Sequence, residues 1–141
     1  MSYLLDTNAV VALLRNKPAV VRDRYRQAQD AAAGVAISSV VLFELWYGVA
    51  KSARVKENTE RLRLLLAGEL DIAAFDDEDA AAAGHVRADL EAAGTPIGAY
   101  DVLIAGQALR RDLTLVTANT AEFGRVSGLR WEDWSGPAPG H

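Results

Sequence analysis

Short apolar runs in this chain stop abruptly at polar cap residues, and each stop is followed by a stretch with helical periodicity. Tyr3-Leu4-Leu5 ends at Asp6-Thr7-Asn8, and Ala9-Val10-Val11-Ala12-Leu13-Leu14 then resumes as a helix. Val35-Ala36-Ile37 ends at Ser38-Ser39 before an apolar helix, and Asp71-Ile72-Ala73-Ala74-Phe75 ends at Asp76, where an alanine-rich helix runs to Ala93. Leu113-Thr114-Leu115-Val116-Thr117 is the clearest strand, and it follows a helix ending near Arg110-Arg111. Strands that each hand over to a helix argue for a mainly parallel sheet covered by helices on both faces. The expected fold is α/β, three layers deep, with about four to five strands. Two further helices fill the gaps, one from Pro18 to about Ala33, closed by Gly34, and an amphipathic one from Lys56 to Gly68.

At 141 residues the chain suits one domain, expected over residues 1–134, with Ser135 to His141 as a disordered tail poor in core-forming residues. The net charge of -4 argues against a standalone basic nucleic-acid binder, because Lys and Arg supply most non-specific affinity for phosphate. A nucleic-acid enzyme stays open, since bound divalent ions reverse the local sign of an acidic site. The absence of cysteine excludes disulfides, Cys-ligated zinc, iron–sulfur clusters and thiol catalysis. There is no basic segment leading into an apolar leader, and no apolar run reaches the roughly 18 residues of a membrane span. A cytoplasmic protein without membrane contact is expected.

Glu44 is the chemical anomaly. It interrupts Val40-Val41-Leu42-Phe43-Glu44-Leu45-Trp46-Tyr47-Gly48-Val49, where its neighbours all favour burial. A carboxylate taken out of water needs a partner, a proton or a cation. Asp6 follows the first strand, Asp101 starts a late helix and Asn119 lies just past the last clear strand. In an open parallel sheet such positions converge in the crevice beyond the carboxyl ends of the strands. Each also has a plainer reading: Asp6 and Asn8 as helix caps, Asp101 as a dipole complement, Asn119-Thr120-Ala121-Glu122 as a loose capping box, and Glu44 in an ion pair with Lys51 or an arginine. If the acids meet, their repulsion calls for a cation. An all-oxygen shell favours Mg²⁺ or Mn²⁺ over zinc, with phosphodiester hydrolysis as the natural reaction class.

Other residues carry less. His85 lies in the alanine-rich helix and His141 in the tail, so neither has the neighbours of a general base. The arginines and lysines of residues 22–26 and 54–63 read first as solvated helix faces, and Phe43, Trp46 and Tyr47 read first as packing. No glycine fingerprint for a nucleotide cofactor follows any strand. A receiver domain would need adjacent acids after the first strand and a lysine after the last; this chain has neither. A catalytically idle fold serving as a binding module is the other alternative.

The ordered motifs Leu5-Asp6-Thr7-Asn8, Phe43-Glu44-Leu45 with Gly48, Ile97-Gly98 before Asp101-Val102-Leu103-Ile104-Ala105, and Val116-Thr117-Ala118-Asn119 with Glu122-Phe123 resemble the PIN-domain ribonucleases. Within these the chain is most similar to the VapC toxins of toxin–antitoxin pairs, including the ending Arg125 to Leu129 followed by Trp131-Glu132-Asp133-Trp134. The resemblance covers residues 2–134. It implies a PIN-like fold, metal ligation by Asp6, Glu44 and Asp101, and a fourth position occupied by Asn119, where PIN domains often carry Asp. It also implies Mg²⁺-dependent attack of water on an RNA phosphodiester, with Mn²⁺ able to substitute, leaving a 5′-phosphate and a 3′-hydroxyl. A VapB-like antitoxin, a homodimer and a structured tRNA or rRNA substrate are further expectations from the resemblance. Thr7 and Thr117 are candidates to orient ligands, and Asn8 to brace Asp6.

Overall fold

The computed structural model describes residues 2–136. Five parallel strands form one sheet: β1 (Tyr3–Leu5), β2 (Val35–Ser38), β3 (Asp71–Ala73), β4 (Thr114–Val116) and β5 (Trp131–Glu132), in the order β3-β2-β1-β4-β5. Helices α1 (Thr7–Arg15), α2 (Ala19–Asp30), α3 (Ser39–Ala50), α4 (Val55–Leu66), α5 (Asp77–Ala92), α6 (Ala99–Arg110) and α7 (Thr120–Phe123) connect them. The expected α/β architecture is therefore present. Leu4, Leu5, Ile37, Leu115 and Val116 are almost wholly buried, as strands covered on both faces require.

The strand order places the functional crevice. The chain moves outward from β1 to β2 and β3, then returns to the other side of β1 with β4. The direction of winding reverses between β1 and β4, so their carboxyl ends flank the position where open α/β sheets bind ligands. Leu5 pairs with Val116 there, and one residue later Asp6 N–H donates to Val116 O at 3.0 Å. Asp6 and the segment after Val116 are thus held side by side by the sheet itself.

Local chemistry sets the helix starts. The Asp6 carboxylate accepts from Ala9 N–H at 2.8 Å and caps α1, and the Ser38 hydroxyl accepts from Val40 N–H at 3.0 Å and caps α3. At α5, Asp76 and Asp79 form a reciprocal capping box. Helices α5 and α6 lie unusually close, since a Cβ on Gly106 would come within 2.5 Å of the Ala83 backbone. Beside that contact Asp79, fully buried, receives Arg110 Nε at 2.8 Å, Arg111 Nη2 at 2.8 Å and Gln107 Nε2 at 3.2 Å.

Several expectations are corrected. The third strand stops at Ala73 instead of Phe75, where Phe75 N–H turns to the Ser39 hydroxyl at 3.0 Å. Strand β5 carries no strand-like run of its own; Thr117 N–H bonds Glu132 O and Leu115 N–H bonds Arg130 O, so pairing with β4 defines it. Helix α3 is not apolar toward the core all round. Val41 and Leu45 are buried, but Phe43 and Tyr47 are 55% and 59% exposed, so these two rings do not serve the packing expected of them. His85 is exposed on α5, in keeping with its reading as a residue outside the site. Of the expected disordered tail, residues 137–141, including His141, lie outside the described residues.

Candidate active site

Four elements deliver the acids to the β1/β4 crevice. Asp6 leaves β1 and is 4% exposed, with its carboxylate bonded by Ala9 N–H and the Thr117 hydroxyl. Burial pushes its pKa up, those two hydrogen bonds oppose the shift, and the charges of Glu44 and Asp133 add to it. Glu44 projects half-buried from α3, and Thr7 Oγ1 donates to its Oε1 at 2.8 Å. Residues adjacent in sequence thus play different parts: Asp6 supplies a carboxylate and Thr7 orients that of Glu44.

Asp101 occupies the first turn of α6 and is half-buried. Burial is the main reason its pKa rises to about 7, followed by a hydrogen bond and charge repulsion from Glu122 and then the charges of Asp6 and Glu44. Asn119 sits at the N-cap position of α7 without a side-chain cap bond; its Nδ2 donates to Glu122 Oε2 at 2.5 Å, and its N–H donates to Thr117 Oγ1 at 2.9 Å. Glu122 is held below its ordinary pKa by hydrogen bonds from Asn119 and Asp101 and from Gly98 N–H.

The four expected residues therefore occupy one crevice, and three acids sense one another electrostatically. The ion pair considered for Glu44 is absent: among the described residues no lysine or arginine pairs with Asp6, Glu44 or Asp101. Nor do three or more acids gather closely enough among those residues to hold one ion as they stand. The donor set is all oxygen, half-buried to buried and short of positive charge, which fits a hard divalent cation.

Glu122 is a member of this cluster that sequence reasoning assigned only to a cap. Its signal was the three-residue spacing from Asn119, which reads equally as a capping box. Asn8 does not brace Asp6; Ala9 N–H and Thr117 do, while Asn8 is exposed. Asp133 was likewise not foreseen, because only the pairing of β5 with β4 brings it near Asp6.

Comparison with known proteins is consistent along the chain. The PIN domain family model matches residues 3–129. The chain is 42% identical over 135 residues to the tRNA(fMet)-specific endonuclease VapC of Shigella flexneri, covering 96% of this chain and 99% of that protein. It is 37% identical to the tRNA(fMet)-specific endonuclease VapC of Salmonella typhimurium, over 95% of this chain and 98% of that one. The structure of VapBC2 from Rickettsia felis bound to a DNA fragment from their promoter superposes with a TM-score of 0.89 at 36% identity, over 95% of this chain and 99% of that chain. With its fold, its crevice of acids and these relatives in agreement, the chain belongs to the PIN-domain family and to its VapC ribonucleases.

Proposed function

We propose that the chain is the toxin of a VapBC-type pair, an endoribonuclease that hydrolyses RNA phosphodiesters with Mg²⁺, or Mn²⁺ in its place, held by Asp6, Glu44 and Asp101. The observation that carries this reading is the set of mutually repelling carboxylates at the switch point with no cationic side chain paired to them among the described residues. A bound divalent cation supplies a water of lowered pKa and neutralises charge on a phosphate oxygen.

The chain's own residues provide the frame for that chemistry. Ala9 N–H and Thr117 fix the Asp6 carboxylate, and Thr7 fixes Glu44. Asp101, whose carboxyl burial and Glu122 favour in its protonated form, would hold a cation only as the carboxylate. Asn119, neutral, donates its amide N–H to Glu122 and adds no charge to the site.

Residues 1–134 form the proposed functional unit, acting in the cytoplasm. None of the helices among the described residues is long and apolar enough to cross a membrane. The relatives' names point to tRNA as the substrate class, and the complexes of VapB with VapC point to a small antitoxin partner. Val20 on α2 and Val55 and Leu64 on α4 are exposed apolar residues suited to such a partner, whereas Phe43 and Tyr100, their ring centroids 5.8 Å apart, suit the face of a homodimer. Brief expression followed by mapping of RNA ends tests the reading. Discrete new 5′-phosphate ends are expected with the wild type and none with Glu44→Gln; identical end patterns from both would contradict it.

A further inference from the structure

A cleft of about 280 Å³ leads away from the acids along one face of α1. At its inner end it is lined by Asn8 and Thr117, and Thr117 is the hydroxyl that holds Asp6. Its walls include Val11 and Val21, and its outer end is lined by Arg15 and Lys17. Asp133 also lines the inner part, so the cleft runs from an acidic end to a basic one.

Arg15 and Lys17 are free in a way Arg22 and Arg24 are not. Arg22 Nη2 donates to Leu13 O at 2.7 Å and Arg24 Nη2 to Gly136 O at 3.4 Å, whereas Arg15 and Lys17 are exposed and make no ion pair among the described residues. A basic residue in the last turn of a helix ordinarily complements the dipole. Here the terminal carbonyls of α1 already have partners: Lys17 N–H on Ala12 O, and Asn16 N–H and Arg22 on Leu13 O. Two side-chain cations at the mouth of a partly apolar cleft, beside an acidic catalytic crevice in a chain of net charge -4, match a phosphodiester strand better than the acidic surface elsewhere does.

We propose that this cleft is an RNA subsite, in which Arg15 and Lys17 hold a backbone phosphate outside the scissile bond while the apolar walls cover the adjoining ribose or base. The proposal rests on the ribonuclease reading above. Arg15 and Lys17 act here as point charges on the substrate and touch none of the acids' hydrogen-bond partners.

The test is fluorescence anisotropy with a short, mixed-sequence single-stranded RNA in a Glu44→Gln background, across a salt series. Arg15→Gln with Lys17→Gln is expected to weaken binding about tenfold and to reduce the slope of log affinity against log salt by about 0.7, the contribution of the one single-strand phosphate that the pair neutralises. In the active background the same pair raises KM and leaves kcat near wild type, and Arg15→Lys with Lys17→Arg returns KM to the wild-type value. Unchanged affinity and slope, with the wild type still cleaving RNA, would overturn the subsite and leave the nuclease reading standing. A wild type that neither binds nor cleaves any RNA would remove both. Loss of a co-purifying small protein, with RNA affinity and slope intact, would assign the cleft to a polypeptide and overturn the proposal.

Discussion

Asp101→Asn abolishes RNA cleavage while leaving the metal-free protein at least as stable as the wild type. Loss of activity of more than about a thousandfold, about 4 kcal/mol of transition-state stabilisation, is expected when one of three charged oxygen donors becomes neutral. The fold tolerates the change because an amide at this position can still donate to Glu122, the bond Asp101 makes. The charge it removes is one that burial, Glu122, Asp6 and Glu44 all disfavour. The sign follows from linkage. A carboxyl whose folded pKa is raised to about 7 binds its proton more tightly folded than unfolded, so stability falls as pH rises from about 4 toward 7. In EDTA, wild-type thermal stability should therefore drop over that window more than the variant's. A variant that melts well below wild type at pH 8 in EDTA would show Asp101 to be a structural acid.

Asp79→Ala has the largest expected effect on folding, about 3–5 kcal/mol, the cost of breaking a buried charge network by removing one partner. Asp79 is fully buried, yet five donors converge on it: Arg110 Nε, Arg111 Nε and Nη2, Gln107 Nε2 and Asp76 N–H. Arg110 and Arg111 keep 28% of their side-chain surface in water and can turn outward, so a value near the low end is expected. Gln107 has no such escape, being wholly buried. Although burial alone would raise it, the hydrogen bonds from Arg111, Asp76 N–H and Arg110 hold the Asp79 carboxyl well below the usual carboxylate range. Its stabilisation is complete above the unfolded pKa of about 4 and is lost as pH falls below that. Urea unfolding at pH 7 and pH 3 checks this: the gap between wild type and variant should shrink in acid, and an equal gap at both would place its origin in packing instead of charge.

The two carboxylates differ in how readable they were. Asp6, Glu44, Asp101 and Asn119 could be placed in one crevice from sequence because parallel strands bring residues after their carboxyl ends together whatever the side-chain details. Asp79 could not. Its role depends on Arg110 and Arg111 arriving from α6, a contact between elements that no local pattern encodes. Glu122 was hidden for the same reason, since the bond to Asn119 is local while the approach of Asp101 is not. The expectation that Phe43 and Tyr47 serve packing failed, since both rings are exposed. Apolar composition alone does not say which face meets the core, and only Val41 and Leu45 do so fully. Strand β5 was missed because two residues are too few to show alternation, and its register comes from β4.

The central claim is that the acids at the β1/β4 crevice work through a divalent cation. It is tested most directly by following cleavage of a labelled RNA by the purified chain after EDTA treatment and again after Mg²⁺ is restored. Cleavage is expected to vanish in EDTA and to return with Mg²⁺ in the wild type, but not in Asp101→Asn. Cleavage that persists undiminished in EDTA, or that Asp101→Asn retains, would contradict it.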